Sequence, residues 1–236
     1  MAVILDPPVK VLVLNLEKDK GRLTDVTIQF DSAGVSFERV DGLFDPKLFS
    51  EASNSAIYDN NANVNCTRGH VKCLIHASKA AEEFALICED DFRIIDPTKF
   101  AKKLKKAIAT LSESEGDVLQ IGWLPRGSSM KIVQRNYYLA RTINILENIL
   151  RWAPVKLGLL KEGKDFSSGG HMYLVRTKKT NELAMYLERN FHIPIDWIYR
   201  QLSREPQNQC LPRVLKYRYN LAIQSNKYRS NVDHRS

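Results

Sequence analysis

The chain has 236 residues, a formal net charge of +8, and hydrophobic and charged fractions of 44% and 26%. These values are ordinary for a soluble globular protein, and the length allows one α/β domain with a substantial core. No apolar stretch is long enough to cross a bilayer, and Asp6-Pro7-Pro8 leaves no room before it for the apolar region of a signal peptide. We therefore expect a cytoplasmic protein.

Strands alternate with helices along the chain, which predicts an α/β sandwich. The largely polar residues 43–65 predict a long surface loop, a kind of segment that often covers a ligand site. We expect one domain over residues 1–216 and a basic, loosely attached tail over residues 217–236. The predicted strands are residues 9–16, 35–40, 84–88, 117–122 and 171–175, and the predicted helices are residues 22–33, 67–83, 97–111, 143–150, 183–187 and a short helix from 194.

The positive charge and the cysteines leave several classes of ligand open. A basic chain suits nucleic acid, but it suits equally an anionic nucleotide or a surface of acidic lipid or glycan. The four cysteines show no Cys-x-x-Cys spacing typical of a metal site, so we expect them to be reduced and mostly structural. They are Cys66, Cys73, Cys88 and Cys210.

The acidic motif Glu89-Asp90-Asp91 follows directly after the apolar run at residues 84–88. A short apolar run bounded by charge predicts a buried strand of a parallel sheet, and ligands of such sheets bind outside the carboxyl ends of the strands. Three carboxylates there offer hard oxygen ligands to a divalent cation that in turn holds a phosphate. The alternative is an acidic turn that ends the strand and caps the next helix. The three residues alone favour that alternative.

Several further motifs stand in a fixed order around the acidic one, and together they resemble glycosyltransferase family 25. This family contains the lipopolysaccharide-type galactosyltransferases, to which collagen galactosyltransferases are related. The resemblance covers nearly the whole chain, with two departures: residues 65–70 lack the glycine and the serine of the usual Gly-Cys-x-x-Ser-His, and Met172 replaces a small residue. The matching motifs are Leu14-Asn15-Leu16, Arg22, Val40-Asp41-Gly42, Cys66-x-x-x-His70, residues 86–91, residues 117–122, residues 170–174, Pro194-Ile195-Asp196, Gln224 and Ser230.

The resemblance implies a GT-A-like three-layer α/β/α sandwich with a mostly parallel central sheet. It also implies an inverting transferase that moves galactose or glucose from UDP-galactose or UDP-glucose to a glycan or glycoprotein. A bound Mn²⁺ or Mg²⁺ would neutralise the leaving diphosphate, with Asp91 as the expected ligand and Glu89 on the metal, a metal-bound water or the ribose. We expect no nucleic-acid partner, and peripheral contact of the basic surface with a membrane is left open.

The resemblance assigns six residues to the donor side, and three of them have a structural alternative. Arg22, at the start of a predicted helix, is expected to meet a phosphate beside the N-terminal amides of that helix, or else to be a solvated arginine. Asp41 is expected to hold the uridine or ribose, or else to be a turn residue. His70 is placed at the donor, although a histidine near a helix start is more often structural. Asn15, Glu89 and Asp90 complete the set.

An inverting transfer needs a base that takes the proton of the acceptor hydroxyl. We predict that Asp196 is this base, although an aspartate that begins a helix can serve simply as its N-cap. His171 is the next candidate because it follows Gly169-Gly170 at the entrance of a strand, where a backbone approaches a ligand closely. Tyr173 lies on the same face of that strand or belongs to the core.

Two other functions stay open at this point. The carboxylates and the basic surface also suit a metal-dependent phosphoryl-transfer enzyme or nuclease, although such sites usually draw acidic residues from several strand ends. A non-catalytic, degenerate transferase fold that binds a glycan or a partner is the second alternative. The intact acidic motif counts against this one.

Overall fold

The computed structural model describes residues 8–42, 61–122, 171–204, 211–217 and 220–225. Within these residues, eight strands form one sheet and five α-helices cover it. The strands are β1 (Val9–Asn15), β2 (Glu38–Asp41), β3 (Phe84–Glu89), β4 (Phe92–Ile94), β5 (Val118–Gly122), β6 (Met172–Arg176), β7 (Val214–Lys216) and β8 (Ala222–Gln224). The helices are α1 (Lys20–Ala33), α2 (Asn61–Ala77), α3 (Pro97–Ser112), α4 (Thr180–Arg189) and α5 (Ile195–Arg204).

The strand order is β2-β1-β3-β6-β5-β8-β4, with β7 also paired to β5. β1 runs parallel to β2 and β3, and β5 runs parallel to β7 and β8. β6 is antiparallel to β3 and β5, and β4 is antiparallel to β8. Because β6 is antiparallel to both β3 and β5, these two strands point the same way. Six of the eight strands therefore share one direction, and β4 and β6 run opposite to them. The predicted mostly parallel sheet is confirmed.

Both faces of the sheet are buried, which explains why its central strands are apolar throughout. Successive side chains alternate between two cores: Val11 and Val13 pack with α1 and α3, whereas Leu12 between them packs with α2, α4 and α5. The same alternation along β3 places Leu86 in the first core and Ile87 in the second. The predicted α/β/α arrangement of three layers is therefore confirmed.

Two predicted helix ends are also confirmed. α1 stops at Gly34, whose φ of 67° lies in the left-handed region, and the amide of Val35 then bonds the Phe30 carbonyl at 3.0 Å. α3 begins at Pro97, which needs no intrahelical donor at that position. Its apolar stripe is buried, and Lys102 and Lys106 lie on the exposed side, as the sequence predicted.

The second helix starts earlier than expected. α2 begins at Asn61, inside the predicted loop of residues 43–65, and ends at Ala77 instead of residue 83. The Asn-rich start was misleading because intrinsic propensities differ by fractions of a kcal/mol per residue, whereas packing of an apolar face decides most helices. Val64 and Leu74 are both buried. Residues 43–60 of that loop lie outside the described part of the chain.

The tail prediction needs a correction for residues 220–225. β8 is part of the sheet, pairs with both β4 and β5, and buries Leu221, Ala222 and Ile223. β4, β7 and β8 have three residues each, too few for a period-two pattern to identify. The predicted helix at 143–150 and residues 226–236 lie outside the described residues, and the domain limits stay a prediction.

Candidate functional site

The carboxyl ends of β1, β2 and β3 meet at one edge of the sheet. Because these strands are parallel, Asn15 lies beside Asp41, and Leu14 lies beside Glu89. The acidic motif thus follows β3 at the edge where α/β sheets bind ligands, as the sequence predicted.

Asp90 is held by two neighbours at this edge. The Asn15 side-chain amide donates to Oδ2 at 2.7 Å, and Arg22 donates from Nη1 to Oδ1 at 3.0 Å. The Arg22 and Asp90 side chains are only 7% and 10% exposed. Burial raises the pKa of Asp90 despite these two donors. The predicted contact of Arg22 with a phosphate stays a prediction, since its guanidinium lies against Asp90 here.

Glu89 pairs with the buried His70 of α2. His70 Nε2 lies 3.2 Å from Glu89 Oε1, and Nδ1 lies 3.0 Å from the hydroxyl of Tyr173 on β6. Burial opposes ionisation of Glu89, but the hydrogen bond from His70 and the nearby His70, His171 and Arg22 together lower its pKa. His70 therefore favours the ionised form of Glu89. Glu89, His70 and Tyr173 form one hydrogen-bonded network.

Asp91 and His171 each have a buried polar atom without a partner among the described residues. Asp91 Oδ2 accepts from the Gln224 amide at 2.7 Å, but its Oδ1 has no partner, and neither does His171 Nε2. The two residues are 5% and 3% exposed. Burial, followed by the charge of Glu89, raises the pKa of Asp91 to about 6. Such orphaned groups are rare in protein interiors, and a bound ligand is one way in which a protein satisfies them.

Glu89, Asp91 and His171 have the spacing of a metal site. A carboxylate oxygen from each acid and a ring nitrogen of His171 all lie within 4.8 Å of one another. Two carboxylates and one imidazole suit Mn²⁺, and the carboxylates also suit Mg²⁺. The orphaned atoms of Asp91 and His171 fit such an ion because coordination would satisfy both. Asp91 and Glu89 are the predicted ligands, whereas His171 was predicted as a proton acceptor.

The topology explains why His171 belongs with the acids. β6 is antiparallel to β3, so its first residues return to the carboxyl end of β3, and the amide of Glu89 bonds the His171 carbonyl at 2.9 Å. The sequence could not reveal this direction, because nothing in residues 171–175 tells a parallel strand from an antiparallel one. Gln224, which was only a motif position, also reaches the acidic motif through β8.

Asp41 lies at the solvent side of this edge. Its side chain is 51% exposed and accepts from Arg39 Nη2 at 2.7 Å. Arg39 also donates from Nε to the Asn15 side-chain oxygen at 3.0 Å. Arg39 therefore links the ends of β1 and β2, and sequence analysis missed it because a lone arginine in a short strand carries no pattern.

Asp196 is in the first turn of α5, beside α2. The Thr67 hydroxyl donates to the Ile193 carbonyl at 3.3 Å, which fixes the entry to α5 next to Cys66. Burial, followed by the charges of Glu89, Asp91 and Asp196, raises the pKa of Cys66 well above its ordinary value. Asp196 thus lies close enough to the acidic motif for its charge to act on the same thiol.

The comparisons with known proteins gave matches among solved structures but no family. No protein-family model matches the chain, and no curated protein matches it. A crystal structure of a glycosyltransferase involved in the glycosylation of the major capsid of PBCV-1 aligns over 94% of both chains with 10% identity and a TM-score of 0.38. Membership of glycosyltransferase family 25 accordingly stays a prediction from the sequence.

Proposed function

We propose that this chain is a metal-dependent, inverting glycosyltransferase that moves galactose or glucose from a UDP-sugar to a glycan or glycoprotein. The observation that carries the proposal is that Asp91 and His171, each with a buried polar atom that has no partner among the described residues, form one group of metal-ligating side chains with Glu89. This group lies at the edge of the sheet where a nucleotide is expected. The motif order that resembles glycosyltransferase family 25 supplies the reaction class.

Glu89, Asp91 and His171 would hold Mn²⁺ or Mg²⁺, which supplies positive charge for the departing diphosphate. The protein keeps these ligands in place through His70, which fixes Glu89, and Gln224, which fixes Asp91. Such supporting bonds are common around metal ligands and tune their affinity. The Arg22–Asp90 pair holds α1 against the same edge.

The half-exposed Asp41 and its neighbour Arg39 offer a carboxylate and a guanidinium to the uridine or ribose at the open side of the edge. In the transfer step, Asp196 takes the proton of the acceptor hydroxyl while the oxygen of that hydroxyl bonds the anomeric carbon of the donor sugar. The bond from that carbon to the diphosphate breaks on the opposite side, and UDP leaves with the electron pair. Inversion follows from this opposed geometry, and a carboxylate at a helix start is favoured in its ionised form.

Turnover of UDP-galactose and UDP-glucose, with and without a chelator, tests the proposal. We expect release of UDP with a glycan acceptor, its loss in excess chelator, and its return with Mn²⁺. Turnover that is unchanged in chelator would contradict the metal role. Hydrolysis of phosphodiesters in place of sugar transfer would instead support the phosphoryl-transfer alternative, which uses the same carboxylates.

A further inference from the structure

Cys66 and His70 form a second group of metal-ligating side chains with Glu89. The two residues are four positions apart on α2, so their side chains lie on one face of the helix. The Cys66 sulfur, a ring nitrogen of His70 and a carboxylate oxygen of Glu89 all lie within 4.8 Å of one another. This group shares only Glu89 with the Glu89–Asp91–His171 group, and the thiol has no part in the proposed transfer.

The spacing within this group suits a tetrahedral ion. Zn²⁺ bonds nitrogen and oxygen ligands at about 2.0–2.1 Å, so two such ligands in a tetrahedral site lie about 3.3 Å apart. The observed distance from His70 Nε2 to Glu89 Oε1 is 3.2 Å. With a Zn–S bond of about 2.3 Å, the thiolate sulfur would lie about 3.6 Å from the nitrogen, within the 4.8 Å limit of the group.

The other ring nitrogen of His70, Nδ1, has a fixed hydrogen-bond partner, as the second nitrogen of a metal-binding histidine usually has. A metal-binding histidine usually donates its other ring N–H to a fixed acceptor, which orients the ring. Here Nδ1 lies 3.0 Å from the hydroxyl of Tyr173, which is fully buried on β6. A phenol can donate or accept, so Tyr173 holds the ring both when Nε2 carries a proton and when it binds a metal.

We propose that Cys66, His70 and Glu89 form a second metal position, for a thiophilic divalent cation of the Zn²⁺ type. Four acids, Glu89, Asp90, Asp91 and Asp196, are close enough to Cys66 to act on its charge, and their field favours a cation there. On binding, the Cys66 thiol proton passes to solvent and the sulfur bonds the ion as thiolate. Sulfur selects Zn²⁺ over Mn²⁺ or Mg²⁺, so the two neighbouring groups prefer different ions.

Co²⁺ is the probe for this position, because a cobalt–thiolate bond gives a charge-transfer absorption that carboxylates do not give. We expect the full-length, metal-free protein to develop this band on titration with Co²⁺, and Zn²⁺ to remove it. Cys66→Ser should abolish at least nine-tenths of the band. Cys73→Ser is the matched control, since Cys73 is a buried thiol of the same helix outside the group.

Asp91→Asn separates this proposal from the proposed function. We expect it to lower Mn²⁺ affinity at least tenfold while the cobalt–thiolate band keeps its intensity. Cys66→Ser should do the reverse, with Mn²⁺ affinity within about threefold of the wild type. Absence of the band in the wild type, or its persistence in Cys66→Ser, would overturn the proposal. Neither measurement depends on sugar transfer, so failure of the glycosyltransferase assay leaves this test intact.

Discussion

The two ends of the β3–β6 ladder both bury charged side chains, but these side chains differ in how many of their polar atoms have hydrogen-bond partners. At the end where Arg176 faces Phe84, each guanidinium nitrogen has an acceptor: Arg176 donates to the carbonyls of Leu111, Gly116 and two serines and to the Glu83 carboxylate, at 2.6–3.2 Å. At the other end, Asp91 Oδ1 and His171 Nε2 have no partner in the part of the chain that the structure describes.

The difference identifies which end is built for stability. A buried charge that satisfies all its hydrogen bonds joins elements together, and Arg176 ties β6 to the loop after α3. A buried acid and imidazole with unpaired polar atoms cost stability, and a bound ligand that pairs with both atoms would remove this cost. We therefore expect substitutions at the two ends to separate stability from metal binding.

The largest expected effect is at the incomplete end. Asp91→Asn keeps the size of the side chain and can retain a contact with Gln224, but it removes a charge that faces Glu89. Turnover and Mn²⁺ affinity should fall by two to three orders of magnitude because a metal ligand is lost, about 3–4 kcal/mol. The melting temperature should stay the same or rise, since one of two mutually repelling buried acids is neutralised.

Titration calorimetry with Mn²⁺ and thermal unfolding in chelator measure these two quantities on the same sample. Gln224→Glu is a useful companion, because it places a third acid beside Asp91 and should lower stability in chelator. A variant Asp91→Asn that binds Mn²⁺ normally would show that the incomplete end is not a metal site.

The opposite pattern is expected at the complete end. Arg176→Met removes the donor of several buried carbonyls and should cost about 4 kcal/mol of unfolding free energy, since each unpaired buried group costs about 1–3 kcal/mol. Mn²⁺ affinity of the folded protein should be unchanged. Urea unfolding gives the first value and calorimetry the second. A large loss of Mn²⁺ affinity in folded Arg176→Met would mean that the two ends are coupled.

The sequence predicted the incomplete end better than the complete one. Glu89-Asp90-Asp91 was visible because an acidic run after an apolar strand has a known place in α/β sheets, whereas Arg176 is one basic residue at a strand end. His171 could be noticed but not assigned, because its place depends on the antiparallel direction of β6. The fold class followed from alternating periodicity, but β4, β7 and β8 depend on long-range pairing that three-residue segments do not encode.

A smaller effect is expected at the Arg22–Asp90 pair, which lies beside the Glu89–Asp91–His171 group. Both carboxylate oxygens of Asp90 already accept a hydrogen bond. The 3.0 Å Arg22–Asp90 contact should give a coupling free energy of about 2 kcal/mol in a cycle of Arg22→Met and Asp90→Asn. Mn²⁺ affinity should change less than tenfold in either variant. If Asp90→Asn abolishes Mn²⁺ binding as Asp91→Asn does, Asp90 is also a metal ligand. The assignment of metal binding to Asp91 and of a supporting role to Asp90 would then be wrong.

The smallest expected effect concerns a buried titratable group at neither end. Cys73 of α2 is fully buried, and burial raises its pKa from 9.0 to about 12. Between these pH values the unfolded chain loses the thiol proton while the folded protein keeps it, so stability falls as pH rises. From pH 8 to pH 10 this amounts to about 1.4 kcal/mol of unfolding free energy. Urea unfolding at both values, under reducing conditions, should therefore show a loss about 1.4 kcal/mol larger in the wild type than in Cys73→Ala. The lost methyl-sized volume lowers the stability of Cys73→Ala equally at both pH values, so only the difference between them reports the thiol. Equal losses in the two proteins would mean that Cys73 ionises as readily in the folded state as in the unfolded chain.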